Sequence, residues 1–312
     1  MPELPEVTTT VNGLKKTVRG LVISDVWTDL AKKDQKIKQF KNTIKNDIFF
    51  KKFKKKIIRQ KIIGIERKAK NILIHLQNNK TILIHLKMTG HLLYGRYNKV
   101  ISINRKVEKW IPDENEKKSL HDKYNRFVHV VFSLNNNKHL VMSDSRKFGK
   151  VTLLENDEDK INHGICNLGP EPLDKDFDLK KFTERLIKIN KNIKTILMDQ
   201  HIISGIGNIY SDEILWASGI HPESKPINMN KKDFKKMFEN MKNILKKGID
   251  FGGDSMSDYR NIYGERGNFQ NHHNVYKKKG DKCGQKNCKG VIIRKVINGR
   301  SAHFCNTHQK FI

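Results

Sequence analysis

Between Glu6 and Arg19 the apolar residues Val7, Val11, Leu14 and Val18 recur at steps of four, three and four, and Gly20 follows. That spacing puts them on one helical face, and the glycine stops the helix. Alternation then replaces helical spacing: Ile72, Ile74 and Leu76 are followed by Ile82, Ile84 and Leu86, with Asn78-Asn79 between. The pattern predicts a hairpin with one buried face. A second pair is predicted from Phe127 to Leu134 and from His139 to Met142, joined by Asn135-Asn136-Asn137. The first half thus reads as a mostly β domain fronted by a helix. Between roughly 97 and 122 the pattern dissolves into charged and polar residues, including Pro112-Asp113-Glu114-Asn115-Glu116. This stretch is expected to be a surface insertion without regular structure.

From 155 to 176 the chain carries acids and Gly169-Pro170-Glu171-Pro172 with little periodicity, which reads as a linker. Helical spacing returns after it. The clearest element runs from Asp233 to Lys247, where Phe234, Met237, Phe238, Met241, Ile244 and Leu245 line one face, as a core-packing stripe would. Another helix is predicted near Ile193 to Met198, then Gly205-Ile206-Gly207-Asn208, then a helix through Tyr210 to Trp216. Such a glycine turn can present backbone N–H groups and a helix N-terminus to a phosphate, although a GxG turn alone is weak evidence.

Charge strengthens that reading. The 312 residues hold 62 Lys and Arg against 33 Asp and Glu, a formal +29. A surface with that excess attracts polyanions, nucleic acid first and anionic membrane second. A Lys/Asn-rich coding bias accounts for much of the size of the excess and little of its sign. No run of about 18 apolar residues is present, which excludes a spanning helix. The start, Met1-Pro2-Glu3-Leu4-Pro5-Glu6, lacks the basic and apolar runs of a secretory signal, so a cytoplasmic protein is expected. A monomer is expected as well.

Of four cysteines, Cys283, Cys288 and Cys305 fall within the last 30 residues and Cys166 stands alone. In a reducing compartment that clustering points to metal rather than disulfides. Four residues separate Cys283 from Cys288, sixteen more lead to Cys305, and two separate it from His308. Three thiolates and an imidazole suit one tetrahedral zinc, and four protein ligands make the site structural. The alternatives are unpaired structural cysteines and His303 as the fourth ligand. The segment Val291 to Val296 is strand-like and leads to Asn298-Gly299, a hairpin turn signal that would display Arg300 at its tip as a phosphate contact.

Several motifs now stand together and in order: Met1-Pro2-Glu3-Leu4-Pro5-Glu6-Val7, Lys70 in Arg67-Lys68-Ala69-Lys70, His85-Leu86-Lys87-Met88-Thr89-Gly90, Asp144-Ser145-Arg146-Lys147-Phe148-Gly149, Asp199-Gln200 leading to Gly205-Ile206-Gly207-Asn208-Ile209-Tyr210, and the terminal cysteine hairpin. The chain resembles the bacterial formamidopyrimidine-DNA glycosylases over nearly its whole length except the 97–122 insertion. Leu4 fits that branch better than the related endonuclease VIII branch, which typically has Gly there.

The resemblance implies an α+β protein. An N-terminal β-sandwich with its N-terminal helix would occupy 1–154, a helical domain of helix-two-turn-helix type 177–268, and a zinc-bound β-hairpin 269–312. The implied activity is excision of 8-oxoguanine and formamidopyrimidines from duplex DNA, followed by strand cleavage through β,δ-elimination. Two departures stand out: the family usually has four cysteines, with two residues between the first pair, and it lacks the insertion. A His ligand in place of Cys raises the site charge by one.

Removal of Met1 would expose Pro2 as a secondary α-amine, whose pKa of about 8 leaves a substantial neutral, nucleophilic fraction. By itself Pro2 could simply shape the N-terminus; the resemblance makes it the nucleophile. Glu3 is the implied proton shuttle and Glu6 a lesion-pocket residue, although acids at a helix start also suit its dipole. Lys70 is assigned to phosphates flanking the lesion, with His85 a further DNA contact. A lesion must leave the base stack to be reached. Met88, Arg146 and Phe148 match the family's intercalating triad, which fills the vacancy. Asn208 and Arg300 would clamp phosphates. The Gly252-Gly253-Asp254-Ser255 to Tyr259-Arg260 loop would close over the extruded base, with Arg260 also against DNA. Competing readings are an endonuclease VIII preference for oxidised pyrimidines and a zinc-containing DNA-binding module without catalysis.

Overall fold

A computed structural model describes residues 1–33, 40–102 and 107–312. Two compact units emerge from its contacts, the first made of 1–165 with 252–268 and the second of 166–251 with 269–312.

The first unit begins with α1 (Leu4–Thr17), whose buried face carries Leu4, Val7, Val11 and Leu14. β1 (Ile23–Thr28) and α2 (Asp47–Ile57) follow, and then β2 (Ile62–Lys68), β3 (Asn71–Leu76), β4 (Thr81–His85) and β5 (His91–Gly95). After β6 (Tyr97–Ser102) and β7 (Val107–Pro112) come β8 (Val128–Leu134), β9 (His139–Ser143), β10 (Lys150–Leu154) and α3 (Asp157–Asn162). Two antiparallel sheets result, ordered β1-β8-β9-β5 and β10-β4-β3-β2. Ile72, Ile74, Ile82 and Ile84 from one sheet meet Phe132, Leu140 and Met142 from the other, and Val7, Val11 and Leu14 of α1 join the same core. The predicted alternation is therefore the inner face of a β-sandwich.

Both predicted hairpins form. Asn79 (φ 61°) and Asn137 (φ 59°) take the left-handed conformation their turns require, which Asn tolerates better than most residues.

The 97–122 stretch is not irregular. β6 and β7 form an antiparallel pair, and Lys118–His121 makes a 3-10 turn. Periodicity missed this hairpin because few of its side chains face inward. Tyr97 and Leu120 are buried with Leu93, Val131 and Val141, while Trp110 packs 6.2 Å from Trp27. The Trp27 indole donates to Glu108 at 2.7 Å. Residues 103–106 lie outside the described residues.

The contact division differs from the sequence boundaries at two places. Residues 155–165 belong to the first unit, where Ile165 packs on Leu73, Leu83 and Leu154. The 252–268 segment also belongs there, with Ile262 in the sandwich core.

The second unit holds α4 (Leu179–Leu186), α5 (Ile193–Met198), α6 (Asn208–Ser218), α7 (Lys231–Asp250), β11 (Ile293–Ile297) and β12 (Arg300–Phe304). α7 starts at a capping box formed by Asn230 and Asp233 and buries Phe234, Met237, Phe238, Met241 and Leu245. β11 and β12 pair through Asn298 and Gly299, both at positive φ, as a two-residue hairpin requires.

A buried polar network ties the hairpin to the helices. The Lys194 ammonium of α5 donates to Asp212 Oδ1 of α6 at 2.5 Å, and the other Asp212 oxygen accepts from the His303 backbone N–H and Nδ1, each at 3.0 Å. Lys194 and Asp212 side chains are each about 1% exposed. Asp212→Asn leaves the lysine charge buried without its counter-ion. It should destabilise the protein by about 3–5 kcal/mol, the usual cost of breaking a buried pair. A urea midpoint equal to that of the unsubstituted protein would contradict this assignment.

Candidate active site and metal-binding hairpin

Pro2 and Glu3 are both buried at the head of α1, beneath a half-exposed Met1. Glu3 is the N-cap, and its backbone N–H donates to Glu6 Oε2 at 2.7 Å. The second Glu6 oxygen accepts from Asp254 N–H at 2.7 Å, and the Glu6 carbonyl accepts from the Tyr259 hydroxyl at 3.0 Å. Glu6 thus caps its own helix and also anchors the 252–260 loop. That loop needs glycine at 253: φ is 87°, and a Cβ would lie 2.8 Å from Glu6 Cγ. The sequence suggested a helix-dipole role and a pocket role for Glu6; capping and the loop anchor are further roles that it did not show.

Lys70 is buried at the β2–β3 turn, where Ala69 takes a φ of 53°. His85 ends β4, in register with Asn71 on one side and Lys150 on the other. Desolvation first, then the charges of Lys87, Lys70 and Lys150, bring its pKa down to about 3. Its Nδ1 accepts from the Lys87 backbone N–H at 2.9 Å, so the neutral ring presents Nε2–H as a donor.

Met88, Arg146 and Phe148 come together. Met88 and Phe148 are 41% and 44% exposed, large values for apolar side chains. The Arg146 guanidinium lies 4.6 Å from the Phe148 ring centroid and donates to Met88 Sδ at 3.1 Å. Buried Asp144, absent from the sequence-derived site residues though inside a quoted motif, organises this loop. Its carboxylate accepts from Thr89 Oγ1, from Gly149 N–H at 2.6 Å and from Arg146 N–H at 3.3 Å. Ser145 reaches Asp258 of the glycine loop at 3.0 Å.

Arg260 departs from expectation. It is 2% exposed, with Nη1 donating to the Ser257 and Tyr259 carbonyls and Nη2 to Asp122, while its guanidinium stacks 4.7 Å from the Tyr124 ring. A guanidinium so buried and so committed braces the loop. In sequence a lone Arg beside a glycine loop carries no sign of the Asp122 that neutralises it.

In the second unit, Asn208 opens α6 directly after the Gly205-Ile206-Gly207 turn, and its buried Oδ1 has no hydrogen-bond partner. Gln200 holds the turn by accepting from Gly205 N–H and donating to the Ile206 carbonyl, both at 2.8 Å. Arg300 is exposed at the start of β12.

Cys283, Cys288 and Cys305 place their sulfur atoms within 4.8 Å of one another. They are positioned to hold a metal ion, and a thiolate-rich set suits structural zinc. The Trp216 indole N–H points at Cys283 Sγ at 3.3 Å, and Gly290 N–H at Cys288 Sγ at 3.4 Å. His308 lies outside the tight thiol group; its Nε2–H donates to the Trp216 carbonyl at 2.8 Å, which makes Nδ1 the acceptor nitrogen of the neutral ring. His303, the alternative, is occupied by Asp212.

A helix heading a β-sandwich, exposed Met88 and Phe148 around Arg146, a glycine turn opening α6 and a cysteine hairpin fit a zinc-bearing DNA glycosylase. The comparisons with known proteins narrow this further. Residues 1–151 match the formamidopyrimidine-DNA glycosylase N-terminal domain, and residues 168–260 match the formamidopyrimidine-DNA glycosylase H2TH domain. The formamidopyrimidine-DNA glycosylase of Bacillus subtilis is 35% identical over 308 residues, spanning 98% of each chain. That of Streptococcus mutans is 34% identical over 310 residues, spanning 99% of this chain and 100% of the other. Among solved structures, Lactococcus lactis Fpg in complex with an abasic site containing DNA superposes with a TM-score of 0.79 at 28% identity, covering 99% of both chains. The same protein with a N7-benzyl-Fapy-dG containing DNA gives 0.79 at 29% identity, over 99% of this chain and 100% of that one. The chain belongs to the formamidopyrimidine-DNA glycosylase family. Among the described residues, no helix is long and apolar enough to cross a membrane.

Proposed function

We propose that the chain excises 8-oxoguanine and formamidopyrimidine lesions from duplex DNA through a Schiff base on Pro2, then cleaves the strand by β,δ-elimination. The observation that carries this reading is the head of α1, where Pro2 adjoins buried Glu3 and Glu6 ties the helix to the glycine loop.

The Pro2 nitrogen, freed by removal of Met1, gives its lone pair to C1′ as the bond to the damaged base breaks, and the base leaves with that bonding pair and takes up a proton. Glu3 supplies a proton to the sugar ring oxygen, which opens the ring and leaves an iminium on Pro2. The iminium acidifies C2′–H; loss of that proton expels the 3′ phosphate. A second elimination expels the 5′ phosphate, and water then hydrolyses the imine to release the enzyme. Lys70 and neutral His85 hold the flanking phosphates, as do Asn208 and Arg300. Met88, Arg146 and Phe148 fill the gap left by the extruded nucleotide, and the 252–260 loop covers it, with Arg260 as its internal brace. The hairpin zinc is held by Cys283, Cys288, Cys305 and, through Nδ1, His308, and it takes no part in bond breaking. DNA binding would place the protein on the nucleoid, in the cytoplasm.

Release rates of 8-oxoguanine and of an oxidised pyrimidine from otherwise identical duplexes test the substrate class. Faster release of the purine is expected; faster release of the pyrimidine would move the chain to the endonuclease VIII preference.

A further inference from the structure

Outside the motif residues, one lysine stands out for where it is placed. Lys45 precedes α2 and is only 4% exposed. Its segment is fastened to β10: Ile44 N–H donates to the Val151 carbonyl at 3.1 Å, and Thr152 Oγ1 to the Asn42 carbonyl at 2.5 Å. From there the Lys45 ammonium passes 4.0 Å from the Phe40 ring centroid and donates to the Lys147 carbonyl at 2.7 Å.

Lys147 lies between Arg146 and Phe148. It has a φ of 58°, a left-handed conformation that costs a non-glycine residue energy and persists only where its surroundings enforce it. Its own ammonium points away, toward Asp29 at 3.8 Å. Asp144 fixes the two ends of the loop through Arg146 N–H and Gly149 N–H. Lys45 fixes the middle. Burial lowers the Lys45 pKa to about 8, with the Asp144 carboxylate opposing and the Lys87 charge adding to the fall. An ammonium is an expensive group to bury in order to satisfy one carbonyl, unless the conformation it secures matters.

We propose that Lys45 is the positioning residue of the wedge: its ammonium holds the Lys147 backbone so that Arg146 and Phe148 project together into the DNA stack. The inference rests on the wedge role given to those side chains above. It is tested with a duplex that carries a tetrahydrofuran abasic analogue beside 2-aminopurine, whose fluorescence rises when a side chain unstacks it. The unsubstituted protein should raise the signal severalfold, and Phe148→Ala should abolish the rise. Lys45→Met keeps the stem and removes the charge; it should cut the rise at least by half, and Lys45→Arg should restore it. Borohydride trapping on a single-stranded abasic oligonucleotide, which needs no wedge, should be unchanged in Lys45→Met and Lys45→Arg. A full rise in Lys45→Met, or no rescue by Lys45→Arg, would overturn the proposal. Loss of trapping in Lys45→Met would also overturn it, since Lys45 would then support the sandwich as a whole. A full rise in Phe148→Ala would instead sink the wedge reading, and the role of Lys45 with it.

Discussion

Protein that retains Met1 is expected to bind abasic-site DNA and yet fail in both glycosylase and lyase steps. The nucleophile assigned above is the secondary amine of Pro2, and an amide nitrogen has no lone pair free to attack C1′. Removal of a covalent nucleophile commonly costs on the order of 10⁶-fold in turnover. An N-terminal extension that blocks processing should therefore reduce excision to background while leaving the buried Glu3 and the Glu6–Asp254 contact in place. Electrophoretic affinity for a tetrahydrofuran duplex should stay within a few-fold of the processed enzyme, because affinity comes mainly from phosphate contacts. Full excision by the extended protein would remove Pro2 from the mechanism. Pro2→Gly, by contrast, should keep a weaker α-amine nucleophile once Met1 is removed.

The second large effect concerns the cysteine hairpin. It has only small apolar clusters of its own: Ile297, Ala302 and Phe304 in one, and Cys283, Ile292 and Cys305 with Trp216 in another. Metal binding by thiolates contributes about 10–16 kcal/mol in comparable small folds, so much of the hairpin's order should depend on it. Cys305→Ala should release the metal, free the position of Arg300 and weaken binding to damaged and undamaged duplex alike. His308→Ala should loosen zinc less severely, and His308→Cys should retain it, since thiolate is the commoner ligand in this family. Arg300→Ala should keep zinc but lower the salt dependence of DNA affinity by about one unit of slope. Zinc content of each purified variant, measured with its DNA affinity at two salt concentrations, distinguishes these outcomes. Full zinc occupancy in His308→Ala would show that another group completes the site.

What could be read from the chain followed the range of the interactions involved. α1, the β3–β4 and β8–β9 hairpins, α5, α6 and α7 announce themselves through local periodicity and turn residues, and each forms close to its predicted span. The thiol cluster was legible because its spacing is itself a chemical constraint. The β6–β7 hairpin was not, since its anchors Tyr97, Trp110 and Leu120 bury against strands distant in sequence. Arg260 misled for the same reason: its partner Asp122 is 138 residues away. Asp144, Lys45 and the Lys194–Asp212–His303 network are likewise polar groups whose meaning depends on burial and long-range pairing. In a chain this rich in lysine, composition gives no reason to single out Lys45 or Lys194.

In the proposed reaction a processed N-terminal proline forms a covalent intermediate at a damaged nucleotide. Borohydride reduction during reaction with a duplex containing a single 8-oxoguanine tests it most directly, with peptide mass analysis of the product. One stable protein–DNA adduct is expected, with its cross-link at Pro2 of protein lacking Met1. No adduct from correctly processed protein, or an adduct mapped to a lysine such as Lys70, would contradict it.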